Sequence, residues 1–228
     1  MIMQGTLHPI TQFTNYLVKL FEELGFEVVE TPEIENEWYN FDSLLVPANH
    51  PARDEQDTFW LTDKKVLRTQ TSAGQVRTME NRQPPVRIVI PGRVYRNEKI
   101  DATHEAVFDQ FEGFAIDRNI TLADLKGTIE YILKKIYGGT IKVRTRPHYY
   151  PFVEPGMDFD IFFEGKWLEI MGSGMIHPDV LKNMQVNPKI FQGFAFGMGI
   201  NRLTMLYYGI KDIRLSYQND IRFIKQFK

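Results

Sequence analysis

The chain has 228 residues, of which 43% are hydrophobic and 13% aromatic, enough for one globular domain with a sizeable core. Its 27 basic and 29 acidic residues give a net charge of −2, which argues against a broad nucleic-acid-binding surface. Zero cysteines exclude disulfides and thiolate metal sites. No apolar run approaches the roughly 20 residues of a membrane span, and no secretory signal is visible. We therefore expect one cytoplasmic domain.

The chain opens with a predicted helix and strand. Apolar residues at helical spacing, with Pro9 near the start and Gly25 as a stop, predict an amphipathic helix over 8–25. A strand is expected over 26–34, where the residues lead toward a proline.

A long loop follows, and then a short strand and a helix. The segment 47–60 is punctuated by prolines and has few aliphatic residues, so we expect it to lie over a site and not inside the core. A strand is predicted over 66–69. The residue pair Thr71 and Ser72 opens a helix, with Ser72 as a candidate N-cap.

The stretch 91–117 carries ionisable side chains where a core strand normally carries aliphatic ones. Val and Ile residues predict a buried strand over 86–95, and a second strand pattern begins near Glu105. Because side chains alternate along a strand, one face of this second strand carries Phe108, Gln110, Glu112, Phe114 and Ile116. A buried carboxylate and a buried amide need hydrogen-bonding partners, which a polar ligand would supply.

The second half of the chain predicts a helix, a hairpin and a glycine-rich junction. Apolar spacing and a capping box predict a helix over 121–137 with a structural role only. A hairpin is expected between 158–163 and 166–171 around a Glu-Gly turn. A strand then turns through glycines into a helix over 193–203 that Gly209 ends, which places N–H groups and a positive dipole end together.

Three positions in this half have both a structural and a functional interpretation. The aromatic residues Tyr150 and Phe152, which flank a proline, are typical of core filling and also of an aromatic pocket. Glu169 is expected to share a strand face with Trp167 and Met171, where a carboxylate is either salt-bridged or a cation ligand.

Several of these segments together resemble one enzyme family. The residues 92–98, 101–104 and 110–113 are similar to motif 2 of the class II aminoacyl-tRNA synthetases, and specifically to the alpha subunit of phenylalanyl-tRNA synthetases. Further segments whose sequences are similar to that subunit are 40–42, 47–53, 56–60, 67–72 and 193–214.

The resemblance implies a fold and a division of the chain. The implied fold is α+β, the class II synthetase fold, with an antiparallel sheet flanked by helices. We expect one catalytic domain over 1–228, with motif 1 at about 9–34, motif 2 at about 86–117 and motif 3 at about 193–209. The family's alpha subunit normally begins with a helical arm, and we expect this chain to begin at the catalytic core.

The resemblance also implies a ligase. The reaction would be ATP-dependent activation of L-phenylalanine to its adenylate, followed by transfer to tRNA(Phe), with ATP and Mg²⁺ as cofactors. The implied partners are phenylalanine, ATP, tRNA(Phe) and either a beta subunit or a second copy through the motif 1 face. Two alternatives stay open: a synthetase-like binding or regulatory module without turnover, and a ligase for another aromatic amino acid.

Site residues follow from the resemblance position by position. The implied catalytic residues are Arg96 and Arg202. The implied ATP-binding residues are Arg96, Glu98, His104, Phe108, Gly199 and Arg202. The implied amino-acid-binding residues are Gln70, Ser72, Gln110, Glu112, Tyr150, Phe152, Val153, Gly172, Ala195 and Gly197. Glu169 is the implied Mg²⁺ ligand.

The sequence departs from the family pattern at four positions. Gln70 and Tyr150 stand where His and Phe are usual, and Asn201 replaces a Glu beside the catalytic Arg202. We expect Arg202 to be oriented by another group. Asp109, where His is common, should face away from the site because it alternates with its neighbour along the strand.

Overall fold

The computed structural model describes residues 5–53, 57–61, 64–97 and 105–227. The helices in these ranges are α1 (Pro9–Glu22), α2 (Glu37–Asn40), α3 (Ala73–Met79), α4 (Leu122–Tyr137), α5 (Pro178–Asn183), α6 (Ile200–Tyr208) and α7 (Ile221–Ile224). The strands are β1 (Glu27–Val28), β2 (Ile34–Asn36), β3 (Lys65–Leu67), β4 (Val86–Tyr95), β5 (Val107–Asp117), β6 (Lys142–Pro147), β7 (Val153–Phe163), β8 (Lys166–Ile176) and β9 (Gln192–Gly199). Among the helices described, none has the length and apolarity needed to cross a membrane.

Seven of the described strands form one sheet in the order β1-β4-β5-β9-β8-β7-β6. Only β1 pairs in parallel with its neighbour, and the other ladders of this sheet are antiparallel. The two remaining described strands, β2 and β3, pair antiparallel beside it. The predicted α+β fold with an antiparallel sheet flanked by helices is therefore confirmed.

One face of the large sheet is covered by helices. Here α1, α4 and α6 pack against strand residues such as Phe111, Phe159 and Phe196 in the larger core cluster. The other face carries a second cluster, in which α3 and α5 pack on side chains including Phe114 and Ala195. This second cluster covers only part of its face, and the candidate site lies beside it.

Local sequence signals place most elements correctly. α1 begins at Pro9, and the side chain of His8 accepts a hydrogen bond from the backbone of Ile10. The capping box predicted for α4 is present. The predicted hairpin forms between β7 and β8, and both residues of its turn, Glu164 and Gly165, have positive φ angles of 47° and 81°.

The single strand predicted over 26–34 is wrong. The segment forms β1 and β2, which belong to different sheets. Between them, the guanidinium of Arg68 donates to the carbonyl oxygens of Thr31 and Pro32 at 3.0 and 3.2 Å. Because a buried arginine from another part of the chain satisfies these carbonyls, the ladder is interrupted there.

Candidate active site

A cavity of about 390 Å³ opens on the partly covered face of the sheet, over β5, β9 and β8. The structure brings together there every implied site residue that it describes: Gln70, Ser72, Arg96, Phe108, Gln110, Glu112, Tyr150, Phe152, Val153, Glu169, Gly172, Ala195, Gly197, Gly199 and Arg202. The implied ATP-binding residues Glu98 and His104 lie outside the described residues.

Glu112 is the polar centre of one end of this cavity. It is 2% exposed and accepts hydrogen bonds from Ser72 Oγ at 2.8 Å, Gln75 Nε2 at 2.6 Å and Gln110 Nε2 at 3.1 Å. Burial raises the pKa of Glu112 to about 7, and the three donors oppose that rise by favouring the carboxylate. The group is therefore poised between its neutral and charged forms near neutral pH.

The N-cap role expected for the Ser72 side chain is wrong. Ser72 stands at the start of α3 with helical backbone angles, and its side chain caps no backbone group. Its hydroxyl donates to Glu112 instead. A capping serine normally has extended backbone angles and accepts from a backbone N–H of the first turn; the helical angles of Ser72 do not fit that geometry, and its hydroxyl serves the site.

Sequence reasoning missed Gln75, which supplies the shortest of the three bonds to Glu112. Gln75 lies three residues after Ser72, and residues at this spacing share one face of a helix. That spacing was a usable signal.

A buried acceptor and an open space adjoin Glu112. The side-chain oxygen of Gln110 is buried and accepts no hydrogen bond from a described residue. A Cβ on Gly197 would lie only 2.8 Å from Glu112 Oε2, so a glycine keeps this space open. A buried orphan acceptor beside a carboxylate suits a ligand that donates several hydrogen bonds, such as an ammonium group.

Aromatic rings form the next wall of the cavity. The rings of Tyr150 and Phe152 stack with centroids 5.7 Å apart. The hydroxyl of Tyr150 donates to Asp158 Oδ1 at 2.8 Å, which supplies the partner that a buried phenol requires. A flat apolar side chain fits against this wall.

Two arginines line the same cavity. Arg96 follows β4, donates from Nε to the carbonyl oxygen of Thr69 at 3.2 Å, and places its guanidinium 5.1 Å from the ring centre of Phe108. Arg202, in the first turn of α6, is exposed and hydrogen-bonds to none of the described residues. Two guanidinium groups at one opening provide donors for phosphate oxygens.

Glu169 reaches the cavity from β8. The expectation that it shares a strand face with both Trp167 and Met171 is wrong for Met171. β8 contains a register shift, so that Glu169 pairs with Asp160 and Met171 pairs with Phe159, which leaves Ile170 as an extra residue. Met171 therefore faces the helix-covered core, opposite to Glu169.

Glu169 is half-exposed and accepts a hydrogen bond from Arg146 Nη2 at 3.0 Å. Within the described ranges, no three His, Asp or Glu residues are grouped closely enough to hold a metal ion. A Mg²⁺ ion that arrives with a nucleotide needs only one or two protein carboxylates, because phosphates and water complete its shell. Glu169 fits that requirement.

Asn201 and Asp109, two of the departures from the family pattern, are joined by a hydrogen bond. Asn201 is 3% exposed, accepts from the backbone N–H of Asp109 at 2.7 Å and donates to the Tyr217 hydroxyl at 2.6 Å. Neither residue lines the cavity, so the expectation that Asp109 faces away is confirmed. Asn201 therefore ties α6 to β5, and its two hydrogen-bond partners lie outside the cavity.

The loop 47–60 was expected to lie over the site. None of its described residues lines the cavity. Arg53 holds the loop to the body of the protein through ion pairs with Glu37 and Asp42 at 3.2 and 2.6 Å. The loop reaches the edge of the site at Asp57, whose carbonyl oxygen accepts from the backbone of Asn97, next to Arg96.

Comparison with known proteins agrees with this architecture. The family model described as tRNA synthetases class II core domain (F) matches residues 1–227. Among solved structures, the pyrrolysyl-tRNA synthetase from Desulfitobacterium hafniense aligns with a TM-score of 0.72 and 20% identity, over 92% of this chain and 74% of that one. At that identity the likeness concerns the fold alone. Fold and cavity define a class II aminoacyl-tRNA synthetase core.

Similarity to curated relatives narrows the class. The phenylalanine–tRNA ligase alpha subunits of Proteus mirabilis and Pectobacterium atrosepticum are each 51% identical over 228 residues, which is 100% of this chain and 69% of each relative. The chain belongs to the family of phenylalanine–tRNA ligase alpha subunits.

Proposed function

We propose that this chain activates L-phenylalanine with ATP and transfers the phenylalanyl group to tRNA(Phe). Its membership in the alpha-subunit family supports this function. The observation that carries it is one cavity that joins a buried carboxylate network, a stacked aromatic wall and two guanidinium groups. Those three features match the ammonium, the ring and the phosphates of the two substrates.

The amino acid would occupy the end of the cavity at Glu112. Glu112, the orphan oxygen of Gln110 and Ser72 would receive its ammonium group, because all three offer acceptors around one space. Gln70, which also lines the cavity, would help hold the ammonium or carboxylate group of the substrate. The open space at Gly197 would admit the backbone of the substrate.

The substrate ring would pack on the aromatic wall. The residues that would surround it are Tyr150, Phe152, Val153, Gly172 and Ala195. Ala195 would face the para position, where a small side chain leaves room for hydrogen and little more. Aromatic pairs contribute roughly 0.5–1.5 kcal/mol beyond area burial, which favours a phenyl ring here.

ATP would occupy the end of the cavity that contains the arginines. Arg96 would contact the α-phosphate, and Arg202 would contact the γ-phosphate and hold the nucleotide bent. Phe108 would stack on the adenine, and Gly199 would let the nucleotide approach the backbone at the start of α6. By resemblance, Glu98 would bind the adenine and His104 the outer phosphates.

With the substrates in these positions, the protein would catalyse the reaction by orienting them and by stabilising the charge that develops. A carboxylate oxygen of phenylalanine attacks the α-phosphorus, and the bond to pyrophosphate breaks. Because the nucleophile is already ionised, the protein needs no general base. Arg96 would stabilise the charge that develops on the α-phosphate.

Class II synthetases use ATP with Mg²⁺, and Glu169 is the residue we assign to the ion. Bound there with the nucleotide, the ion would neutralise phosphate charge. Glu169 would orient it from β8, after exchanging its bond with Arg146 for the metal.

Assembly is part of the proposal. The relatives are named as alpha subunits, which supports a beta-subunit partner that contacts the motif 1 region around α1. Self-pairing through the same region is the alternative. Measurement of the molecular mass in solution, with and without a family beta subunit, separates the two.

An ATP–pyrophosphate exchange assay across the aromatic amino acids tests the function. We expect exchange with phenylalanine and much weaker exchange with tyrosine and tryptophan. Exchange with none of them would contradict the proposed activity and indicate a binding module. Exchange with another amino acid but not phenylalanine would replace the substrate.

A further inference from the structure

The aromatic wall of the cavity is held by a buried carboxylate outside the cavity. Asp158, on β7, is fully buried and accepts the hydrogen bond of the Tyr150 hydroxyl at 2.8 Å. Asp158 does not line the cavity, whereas Tyr150 does. The Tyr150 ring also packs directly against the backbone of Gly172, where an added Cβ would lie 2.5 Å from the Tyr150 hydroxyl oxygen.

Two basic side chains approach the second oxygen of Asp158. His148 Nδ1 lies 3.0 Å from Asp158 Oδ2, and Arg146 Nη2 lies 3.4 Å from it. Arg146 also binds Asp160, through Nε at 2.8 Å and Nη2 at 3.0 Å. Oδ2 accepts no hydrogen bond from a described residue, whereas Oδ1 accepts that of the Tyr150 phenol, for which a carboxylate is a strong acceptor.

The ring of Tyr150 is therefore fixed on several sides. Its edge meets Gly172, its hydroxyl meets Asp158, and its two faces stack on His148 and Phe152 with centroids 4.6 and 5.7 Å away. Burial and the neighbouring Asp158 both raise the pKa of Tyr150, so the phenol keeps its proton and remains a donor.

We propose that Asp158 is a positioning residue for amino-acid binding. By accepting the Tyr150 hydrogen bond, it fixes the ring as one wall of the cavity and withholds the hydroxyl proton from the substrate. The cavity then presents ring carbon to a flat, apolar amino-acid side chain. This inference rests on the proposed function, because it assumes that the cavity binds an aromatic amino acid.

A set of four variants tests the role. Asp158→Ala removes the acceptor, Asp158→Asn keeps an acceptor oxygen, and Tyr150→Phe removes the donor but keeps the ring. Tyr39→Phe is the matched control, since Tyr39 donates the same kind of bond to Glu80 outside the cavity. The KM values for phenylalanine and ATP and the kcat are measured by pyrophosphate exchange, and phenylalanine binding is measured by calorimetry.

The expected result is selective for the amino acid. Asp158→Ala and Tyr150→Phe should each raise the KM for phenylalanine and weaken its binding by roughly three- to tenfold, because the substrate must then order a loose ring. The ATP KM and the kcat should stay near wild type, Asp158→Asn should restore most of the affinity, and the double variant should be no worse than either single one. Tyr39→Phe should leave every constant unchanged.

The outcomes distinguish a failure of the role of Asp158 from a failure of the proposed function. If the wild type binds phenylalanine and all variants bind it equally, the role of Asp158 is wrong and the function stands. A parallel rise of both KM values would also overturn the role, because it indicates a general structural effect. If the wild type binds no aromatic amino acid, both proposals fail. Should Asp158→Ala not fold, Tyr150→Phe decides the matter alone, since it retains the contacts of Asp158 with His148 and Arg146.

Discussion

Glu112 makes amino-acid binding sensitive to pH at the scale of a single residue. Its pKa is raised to about 7 because it is buried, so it is increasingly neutral below that value and charged above it. Only the charged form attracts an ammonium group. The KM for phenylalanine should therefore rise by up to about tenfold for each pH unit below about 7, and level off above it.

Exchange kinetics from about pH 5.5 to about pH 8 measure this profile, a window that brackets the raised pKa. Glu112→Gln is the control, since it keeps the shape of the side chain and cannot titrate. That variant should bind phenylalanine weakly and without a slope over the same window. A flat profile in the wild type would show that Glu112 does not receive the ammonium group.

Ala195 should set the length of the substrate that the cavity accepts. It is 3% exposed and lines the cavity from β9. Ala195→Gly removes one methyl group, and a group of that size in an apolar pocket typically changes discrimination by roughly 10- to 200-fold. We expect this variant to exchange with para-substituted phenylalanines that the wild type rejects.

The companion variant Ala195→Val adds volume and should weaken exchange with phenylalanine itself. Exchange assays with phenylalanine and its para-chloro analogue measure both effects. If discrimination stays unchanged in both variants, Ala195 does not face the para position.

At the scale of the element, α4 separates stability from activity. It packs on the helix-covered face of the sheet, opposite to the cavity, and its first turn is fixed by reciprocal bonds between Thr121 and Asp124. Thr121→Ala removes an N-cap, which typically costs about 1 kcal/mol. For a chain of this size, Tm should fall by roughly 2–4 °C.

The kinetic constants of Thr121→Ala should stay at wild-type values at 25 °C, because no cavity residue belongs to α4. Thermal unfolding and pyrophosphate exchange on the same preparations give the two measurements. Thr121→Ser retains the capping hydroxyl and should restore the Tm. A fall in kcat without a change in Tm would link α4 to the site.

Elements with local signals could be predicted from the sequence, and elements with remote partners could not. β4 follows from its Val and Ile run, and the β7–β8 turn follows from Glu164 and Gly165. The strand predicted over 26–34 is interrupted where Arg68 binds the carbonyl oxygen of Thr31. The local sequence pattern does not reveal that contact. The extra residue Ile170 in β8 was equally hidden, because a bulge is defined by the partner strand.

The same distinction applies to the site. Arg96, Gln110 and Arg202 were identified because the resemblance covers their motifs, and strand alternation put Gln110 and Glu112 on one face. Gln75 and Asp158 were missed, since each touches the site through another side chain. Asp158 alternates with Asp160 in the otherwise apolar segment 157–163 of β7, and that pattern was a visible sign of a buried charge network.

At the scale of the whole molecule, the fold brings two distant arginines to one cavity. Arg96 follows β4, Arg202 belongs to α6, which follows β9, and both line the cavity. The proposed function requires both to act on one nucleotide. Removing a charge-stabilising donor typically costs about 2.7–4 kcal/mol in the transition state. Arg96→Ala and Arg202→Ala should therefore each slow exchange by roughly 10²- to 10³-fold.

The double variant tests whether the two arginines act together. Two groups that stabilise the same transition state are not independent, so the loss in the double variant should be smaller than the product of the single losses. Arg93→Ala is the control, because Arg93 lies on β4 near Arg96 but does not line the cavity. It should exchange at nearly the wild-type rate. A full rate in Arg202→Ala would mean that Arg202 does not act on the nucleotide, and Arg96 would then stabilise the phosphates without it.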